Sequence, residues 1–464
     1  MARTLALSLL TLPLVFAAQA PTFKAPSEGP LIPSPNFGGP SNGSLSKQPV
    51  QTGLMFDRFI QIWLENTDFA TANSSPTFQS LAKQGVLLTG YYALTHPSEP
   101  NYVASVGGDF FGMHDDNLYN IPANVSTIVD LLEGKNISWA SYQETMATDG
   151  SLDFSEDAPD YVDGTGTYTY YVRKHNPLIV FDSVAGNTRR RNLQRTFNDF
   201  AADVNASAIP QWLFVTPNLV DDAHDTTIEY ASQWLEFWLL PLLKDERFND
   251  NRTLILLTFD ENETGSVNNQ ILSILLGGAV PEAARGTADD TYYTHYSSLS
   301  TVQANWGLGC LGRGDTDPKM ANVYDLVAKA IGHDGNNDLT GSSDLPLTNL
   351  SGPIPGPLNE AVYVPFTAQN ANATCANKAG KVFVAPGVDL SLTADKAPAA
   401  VNLTALNENV PAAGNINLSA TATAPGSSPT SPGSSGPSPT SGAAHTMVNL
   451  AVAIIVATFI GLTL

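Results

Sequence analysis

The chain has 464 residues, which is enough for one large domain or two ordinary domains with a sizeable buried core. It carries 44 acidic and 22 basic side chains, a formal net charge of −22, which argues against nucleic acid as a partner because phosphate backbones need Lys and Arg. The same acidity is compatible with an acidic working environment, in which many carboxylates are partly protonated.

The first segment, residues 1–20, is typical of a secretory signal peptide. Arg3 gives it a basic start, and an apolar run and then a group of small residues follow. Residues 21–52 are rich in Pro, Ser and Gly and predict an extended leader. We therefore expect a secreted protein whose main domain begins near residue 53.

Strand and helix signals alternate over the central part of the chain. Residues 56–66 predict the first strand, and residues 252–262 have the strongest signal for a buried strand. Pro241 is expected to kink or end the longest helix. The other predicted strand segments are 86–94, 136–144, 210–218 and 269–278, and the predicted helices are 75–85, 101–107, 226–248 and 320–332. This alternation predicts an α/β fold with a mostly parallel central sheet covered by helices on both faces.

Residues 53–405 are predicted to form one catalytic domain, whose last part is an irregular extension. Residues 406–446 follow as a Ser/Thr/Pro-rich linker that cannot build a core. The chain ends in the apolar tail 447–464, and the order of small residues, polar spacer and tail predicts a GPI-attachment signal, with a plain tail anchor as the alternative. We expect the protein at the membrane through a GPI anchor, on the cell surface or in the cell wall.

Glycosylation signals agree with secretion. Eleven Asn-x-Ser/Thr sites are present, a density that predicts heavy glycosylation. They are at Asn42, Asn73, Asn124, Asn136, Asn205, Asn251, Asn262, Asn349, Asn372, Asn402 and Asn417. The two cysteines, Cys310 and Cys375, are expected to form one disulfide in an oxidising compartment, and two free thiols are the alternative.

Polar clusters follow three of the predicted strands. They contain Glu65, Asn66 and Asp68, then Asn218, Asp221, Asp222, His224 and Asp225, and last Asp260, Glu261, Asn262 and Glu263. Each cluster alone is typical of an ordinary turn or helix cap. Because the carboxyl ends of parallel strands share one edge, we expect the three to converge, and converging carboxylates repel one another unless a cation lies among them. The sequence therefore predicts a site for a divalent metal ion bound through oxygen, such as Mg²⁺, Ca²⁺ or Mn²⁺, with Zn²⁺ as the alternative if a histidine joins.

The stretch THPSEPNY, residues 95–102, places Ser98 ahead of the short predicted helix 101–107. The amino end of a helix offers N–H groups that suit an anionic ligand such as phosphate. A serine held there beside a cation can act as a nucleophile without a histidine base, because the cation lowers the pKa of its hydroxyl. Asn101 would then donate to a phosphoryl oxygen. The alternative is a helix cap on a loop stiffened by prolines.

The motifs Glu65-Asn66-Thr67-Asp68, THPSEPNY, TPNLVDDAHD and FDEN, in this order, resemble the phosphoesterase family of secreted fungal acid phosphatases. The family is related to the phosphatidylcholine-type phospholipases C and belongs to the wider alkaline phosphatase superfamily. The resemblance covers residues 54–335. It implies an alkaline-phosphatase-like α/β/α sandwich and a serine nucleophile assisted by a metal ion.

The resemblance also implies a role for each matching residue. Ser98 would attack phosphorus, Asn101 would steady the phosphoryl group, and His224 would protonate the leaving alcohol. Two further matching elements, YYVRKHNPLIVFDSV and THYSSLSTVQANWGLGCLG, supply the candidate phosphate contacts and site neighbours Lys174, His175 and His295. The residues implied as ligands of a single divalent metal ion are Glu65, Asn66, Asp260 and Glu261.

We therefore predict a secreted acid phosphatase that hydrolyses small phosphate monoesters through a metal-assisted serine. An acidic optimum fits His224 acting in its protonated form. The sequon at Asn262 should stay unmodified, because a glycan there would crowd the cleft. Two other interpretations remain open, a phosphodiesterase of the phospholipase C type and a non-catalytic cell-wall glycoprotein.

Overall fold

The computed structural model describes residues 22–26, 29–339, 342, 345–350 and 354–406. The strands within these residues are β1 Arg58–Leu64, β2 Val86–Leu88, β3 Tyr91–Tyr92, β4 Trp139–Gln143, β5 Ser155–Pro159, β6 Thr167–Val172, β7 Gln194–Thr196, β8 Trp212–Thr216, β9 Thr253–Phe259, β10 Ser273–Leu276, β11 Thr287–Asp289 and β12 Tyr293–Thr294. The α-helices are α1 Phe69–Ser74, α2 Pro76–Ala82, α3 Ser98–Gly107, α4 Ile128–Glu133, α5 Asp182–Ala185, α6 Thr188–Arg191, α7 Phe197–Asn205, α8 Ile228–Leu242, α9 Tyr296–Trp306 and α10 Asp325–Ile331.

Eight of these strands form one mixed sheet in the order β11-β2-β10-β9-β1-β8-β4-β7. Its neighbours pair in parallel except where β10 runs antiparallel to β2 and β9. The central strands β1 and β9 are buried along almost their whole length, which explains why apolar residues predominate on both of their faces, with Gln61 in β1 and two threonines in β9 as the buried polar exceptions. The predicted α/β fold with a mostly parallel central sheet is confirmed. The predicted segment 86–94 is divided, because β3 leaves this sheet and pairs with β12.

Helices cover both faces of the sheet. On one face, Trp63 of β1 contacts Tyr102 of α3, with 4.9 Å between ring centroids. On the other face, Phe259 of β9 lies 5.7 Å from Phe78 of α2. Trp63 is in register with Thr258, and successive side chains of a strand alternate, so Trp63 and Phe259 point in opposite directions. The sheet is therefore the middle layer of an α/β/α sandwich.

The longest of the described helices, α8, has a defined start and end. The Thr227 side chain caps it by accepting the N–H of Tyr230. Pro241 lies in the last turn, and the helix ends at Leu242, as the prediction from Pro241 required. Trp234 and Trp238 stack with 5.0 Å between ring centroids, and both belong to the buried core.

Four neighbouring parallel strands end at the same edge of the sheet. In sheet order they are β9, β1, β8 and β4. Asp260 directly follows β9, Glu65 follows β1, Asn218 and Asp222 follow β8, and Glu144 follows β4. All five of these side chains are buried. The predicted convergence of the polar clusters at the carboxyl edge is therefore confirmed, and the sheet places them there because its central strands are parallel.

The leader is bound to the domain by hydrogen bonds from the region of α7. Asn198 donates to the carbonyl of Ser34 at 3.0 Å. The buried carboxylate of Asp199 accepts the hydroxyl of Ser41 at 2.7 Å, and Asp203 accepts a backbone N–H of the leader. The described residues of the leader contain a turn at residues 29–32 and a short 3-10 turn at Pro35–Phe37, and residues 40–50 have no regular secondary structure.

The segment that follows the last helix, residues 354–406, packs on the same domain. The disulfide between Cys310 and Cys375 ties it to the body of the protein, which confirms the predicted pairing. Gly112 has a φ of +78°, and a Cβ on it would lie 2.5 Å from the backbone of Gly356. This close approach requires glycine and fixes where the segment begins to cross the domain.

None of the helices among the described residues is both long enough and apolar enough to cross a membrane. The predicted signal peptide, and the predicted linker and tail beyond residue 406, lie outside the described residues. These parts of the domain organisation, and the limits 53–405 of the catalytic domain, stay predictions.

Removal of the disulfide should destabilise the protein. The bond joins residues 65 positions apart, and replacing both cysteines with alanine frees the unfolded chain. We expect the free energy of unfolding to fall by about 2–4 kcal/mol, measured by guanidinium denaturation against the wild type at one pH. An unchanged free energy of unfolding would show that the C-terminal segment is held by its other contacts alone.

Candidate active site

Ser98 is the first residue of α3 and lies at the carboxyl edge of the sheet. The helix begins at Ser98 itself and not at residue 101 as predicted, so the serine belongs to its first turn. The hydroxyl is buried, 3.1 Å from Glu65 Oε2 and 3.5 Å from Glu261 Oε1. It therefore lies between two of the predicted metal ligands and at the positive end of a helix.

Glu65, Asn66 and Asp260 bring two carboxyl groups and a side-chain amide together. The amide of Asn66 faces Glu65 Oε2 and Asp260 Oδ1, and in the orientation that satisfies its hydrogen bonds its nitrogen donates to both at 3.1 Å. A cation among these side chains would take the amide in the opposite orientation, with the oxygen towards the ion. The hydroxyl oxygen of Ser98, which donates to Glu65 Oε2, could also coordinate such a cation. These hard oxygen donors suit Mg²⁺, Ca²⁺ or Mn²⁺, so the residues present fit the predicted divalent ion.

The carboxyl groups around this point share one feature, which is burial. They belong to Glu65, Asp222, Asp260 and Glu261. Burial, followed by the charge of Glu261, raises the pKa of Asp260 to about 7, and burial, followed by the charge of Asp116, raises the pKa of Glu261 to about 9. Burial also raises the pKa of Glu65 and Asp222 well above the usual carboxyl range. A bound divalent cation would allow these groups to ionise together.

His175 lies on the far side of Glu65. Its Nε2 is 3.2 Å from Glu65 Oε1, and its Nδ1 is 3.7 Å from Asp222 Oδ2. The ring stacks on Tyr102 with 5.1 Å between centroids, and the Tyr102 hydroxyl donates to Glu65 Oε1. Burial, together with the neighbouring charge of Lys174, lowers the pKa of His175 well below its usual value and favours the neutral ring. His175 and Tyr102 therefore set the orientation of Glu65.

His224 lies at the open side of the site, with 28% of its side chain exposed. Its Nδ1 is 2.7 Å from Asp225 Oδ1, and its Nε2 is 3.4 Å from Lys174 Nζ. Asp225 thereby orients the ring so that Nε2 faces the other predicted site residues. Glu65, His175 and His224 each offer one ligand atom, all within 4.8 Å of one another, so this group is a second place where a metal ion could be held. Lys174 and these histidines are brought together as predicted.

Asn101 is buried beneath the loop that leads to Ser98. Its Oδ1 accepts the N–H groups of Leu94 and Thr95 at 2.9 and 3.2 Å. Its Nδ2 donates to the carbonyls of Thr95 and Pro97 at 2.8 and 3.3 Å. The side chain therefore holds the loop that positions Ser98. The predicted contact of Asn101 with a phosphoryl oxygen stays a prediction, and it requires exchange of one of these bonds.

His295 lies behind the site. It is buried, with its ring 4.5 Å from that of Trp63 and its Nε2 2.6 Å from the carbonyl oxygen of Asp260. Burial lowers the pKa of His295 to about 3, so the ring is neutral and its N–H holds the backbone of Asp260 in place. His96 lies in the site, because its Nδ1 is 2.7 Å from Glu261 Oε2.

Two residues of the site were not singled out by the sequence patterns. Tyr102 lies one turn after Ser98 on α3, and this spacing is a signal that could have found it. Asp116 accepts the N–H of Glu99 at 3.0 Å and lies 2.9 Å from Lys174 Nζ. Asp116 comes from the loop after α3, and nothing in the spacing of the motifs indicates its position.

The sequon at Asn262 lies inside the fold. The side chain is 2% exposed, and its Nδ2 donates to Asp68 Oδ1 at 3.0 Å and to the carbonyl of Thr264 at 2.9 Å. Attachment of a glycan to this nitrogen would remove one of its two N–H donors and break one of these bonds. These contacts support the prediction that Asn262 is unmodified.

The model of the Phosphoesterase family matches residues 51–309, which is more than half of the chain. The chain belongs to the Phosphoesterase family. This phosphoesterase is 44% identical over 371 residues to an acid phosphatase of Aspergillus fumigatus, covering 79% of this chain and 77% of that protein. It is 45% identical over 324 residues to a phosphate-repressible acid phosphatase of Penicillium chrysogenum, covering 69% of this chain and 74% of that protein. The predicted family is confirmed.

A solved structure of a protein in the alkaline phosphatase superfamily, from Vibrio parahaemolyticus, is also similar to this phosphoesterase. The TM-score is 0.34 at 12% sequence identity, over 61% of this chain and 70% of that chain. A TM-score this low carries no argument about the site. The α/β/α architecture rests on the sheet order and the helix packing described above.

Protein stripped of divalent cations should lose stability as the pH rises. In the folded state Asp260 and Glu261 hold their protons up to about pH 7 and about pH 9, whereas the unfolded chain releases them at about pH 4. The folded state binds more protons than the unfolded chain in this window. The stability that the two protonated groups contribute is therefore fully present below their unfolded pKa and is lost as the pH rises towards their folded pKa values. We expect the thermal unfolding midpoint of chelator-treated protein to fall between about pH 5 and about pH 8.

Addition of excess Mg²⁺, Ca²⁺ or Mn²⁺ should restore the midpoint, and more strongly at the higher pH, because the cation replaces the protons. The variant Asp260→Asn is the control and should respond less to the cation. A midpoint that depends on neither pH nor cation would contradict a metal site at these residues.

Proposed function

We propose that this phosphoesterase is an acid phosphatase that hydrolyses small phosphate monoesters. The observation that carries the proposal is the position of Ser98 Oγ at the start of α3, 3.1 Å from Glu65 Oε2. The two relatives named as acid phosphatases, 44% and 45% identical, support the same activity. The proposal includes one divalent metal ion of undetermined identity.

Ser98 is the proposed nucleophile. Its oxygen forms a bond to phosphorus as the bond from phosphorus to the ester oxygen breaks, and its hydroxyl proton has an acceptor at Glu65 Oε2. The residues that would hold the cation are Glu65, Asn66, Asp260 and Glu261. A cation held there supplies charge neutralisation for the phosphoryl oxygens. The N–H groups of the first turn of α3 and the ammonium of Lys174 add positive potential at the same place.

His224 is the proposed general acid. Asp225 orients its Nδ1, and Nε2 gives a proton to the leaving alcohol as the ester bond breaks. In the second step water attacks the phosphorus of the phosphoserine and gives a proton to the neutral ring of His224. The bond from phosphorus to Ser98 Oγ breaks, Glu65 returns the proton to Ser98 Oγ, and inorganic phosphate leaves.

Replacement of Ser98 with alanine should abolish hydrolysis of an aryl phosphate. We expect a loss of about 10³-fold or more in kcat, measured over the acidic range with saturating divalent cation. Ser105→Ala is the matched control, because Ser105 is a buried serine of the same helix whose hydroxyl donates only to the carbonyl of Tyr102, at 2.7 Å. It should keep most of the activity.

Survival of activity in Ser98→Ala would reduce Ser98 to a phosphate-binding residue. Absence of aryl phosphatase activity in the wild type, with hydrolysis of phosphocholine esters instead, would favour the phosphodiesterase interpretation. Absence of both activities and of bound metal would favour the non-catalytic cell-wall glycoprotein.

We further propose that the protein is secreted and attached to the membrane by a GPI anchor. The proposal rests on the signal peptide at residues 1–20, the tail at residues 447–464 and the density of sequons. The disulfide between Cys310 and Cys375 is consistent with an oxidising compartment.

Treatment of intact cells with a phosphatidylinositol-specific phospholipase should release the acid phosphatase activity into the medium. A version of the chain that ends before the apolar tail is the control and should be secreted without treatment. Activity that stays with the membrane after treatment would favour the plain tail anchor.

A further inference from the structure

Asp116 holds two hydrogen-bond donors of the kind that bind phosphoryl oxygens. Its Oδ1 accepts the N–H of Glu99 at 3.0 Å, and its Oδ2 is 2.9 Å from Lys174 Nζ. Glu99 directly follows Ser98, so this N–H belongs to the first turn of the helix that carries the nucleophile. Helix N–H groups and ammonium groups are common phosphate ligands, and Asp116 is therefore placed where it meets the phosphoryl group of a substrate.

The position of Asp116 relative to the reacting atoms supports this. Of the charged groups around Glu261, Asp116 contributes most to raising its pKa, and Glu261 Oε1 lies 3.5 Å from Ser98 Oγ. The Asp116 side chain is 26% exposed, so its carboxylate borders the cleft and is not sealed in the core. The adjacent Asp115 has a different hydrogen-bond partner, because its carboxylate accepts the hydroxyl of Tyr119 at 2.5 Å.

The charged groups that face Asp116 come from several elements. They are Glu99 of α3, Asp115 of its own loop, Arg173 and Lys174 of the 3-10 turn after β6, and Glu261 after β9, with His224 on the other side of Lys174. Lys174 is the cation that contacts the Asp116 carboxylate directly. An anionic substrate that approaches this carboxylate is repelled unless it carries a proton at the point of contact.

We propose that Asp116 makes the site selective for the singly protonated form of a phosphate monoester. The monoanion has one P–OH group, which donates a hydrogen bond to the Asp116 carboxylate, while its remaining oxygens accept from Lys174 and the helix. The dianion has no proton to donate and places an oxygen against the carboxylate. This inference rests on the proposed monoesterase function and adds a specificity-determining residue to it.

Selectivity for the monoanion of the substrate is a second reason for higher activity at acidic pH. Phosphate monoesters lose their second proton at about pH 6, so the usable fraction of substrate falls above that pH. The descending limb of the pH profile would then move with the ionisation of the substrate, in addition to the requirement for a proton donor on the enzyme. His224 remains the proton donor for the leaving alcohol, which is a separate requirement.

The first test uses the wild type and two aryl phosphates that differ in their second ionisation. In the profile of kcat/KM against pH, the descending limb should move with the substrate and should fall about tenfold per pH unit. A limb that lies at the same pH for both substrates reports an enzyme group and overturns the inference. Absence of hydrolysis of either substrate at any pH would instead contradict the proposed function.

The second test uses Asp116→Asn, with Asp115→Asn as the matched control. In Asp116→Asn we expect the ratio of kcat/KM at about pH 7.5 to that at about pH 5 to rise about tenfold, because the amide no longer repels the dianion. Inhibition by inorganic phosphate should strengthen by a similar factor at the higher pH. Asp115→Asn should leave both quantities unchanged.

An equal loss of kcat/KM at every pH in Asp116→Asn would make Asp116 only a positioning residue for Lys174 and would overturn the selection. If that variant does not fold, Asp116→Glu replaces it. The glutamate keeps the charge, so its descending limb should coincide with that of the wild type, and a displaced limb would count against the inference.

Discussion

Burial of several carboxyl groups at one edge of the sheet is the constraint on which the rest of this phosphoesterase depends. The side chains of Glu65 and Asp260 have no exposed surface, and Glu261 has 3%. Buried carboxylates are stable only when they are protonated, hydrogen-bonded or paired with a cation. The side-chain amide of Asn66 faces Glu65 and Asp260 and can donate to an oxygen of each at 3.1 Å. Lys174 and the amino end of α3 provide positive potential that offsets the charge of these buried carboxyl groups.

The topology of the sheet brings these carboxyl groups together. The strands β9, β1 and β8 are parallel neighbours, so the residues that follow them meet at one edge although they are far apart in the chain. Helix α3 packs Tyr102 against Trp63 of β1, which brings the first turn of the helix, and Ser98 with it, over that edge. Buried parallel strands are mostly apolar along their length, and the charged side chains of the site come at the first positions after the strands.

The same reason explains which features could be predicted from the sequence. The apolar runs of β1 and β9 mark where the strands end, and Glu65, Asp260 and Glu261 follow directly. The disulfide was predictable because the chain has only two cysteines. Ser98 was predictable as a site residue from its motif, although the start of its helix was placed too late.

Contacts that depend on the path of a loop could not be predicted. Asp116 and Lys174 are 58 positions apart, and neither has a spacing that indicates the other. For Asn101, the residue type is compatible with a phosphate contact, but the turn of the chain before Ser98 brings backbone donors and acceptors to its amide first. Side chains whose partners are backbone atoms of a loop leave no periodic pattern in a sequence.

The leader limits how far the amino end of this phosphoesterase can be trimmed. Asp199 and Asp203 are fully buried, and they accept hydrogen bonds from Ser41 and from the backbone of Leu45. A protease that removed residues up to 52 would expose these carboxylates to water and leave them their contacts with Arg195, Tyr142 and Thr196. Proteolytic trimming close to residue 20 is therefore compatible with the fold, whereas loss of the leader would remove part of the folded surface.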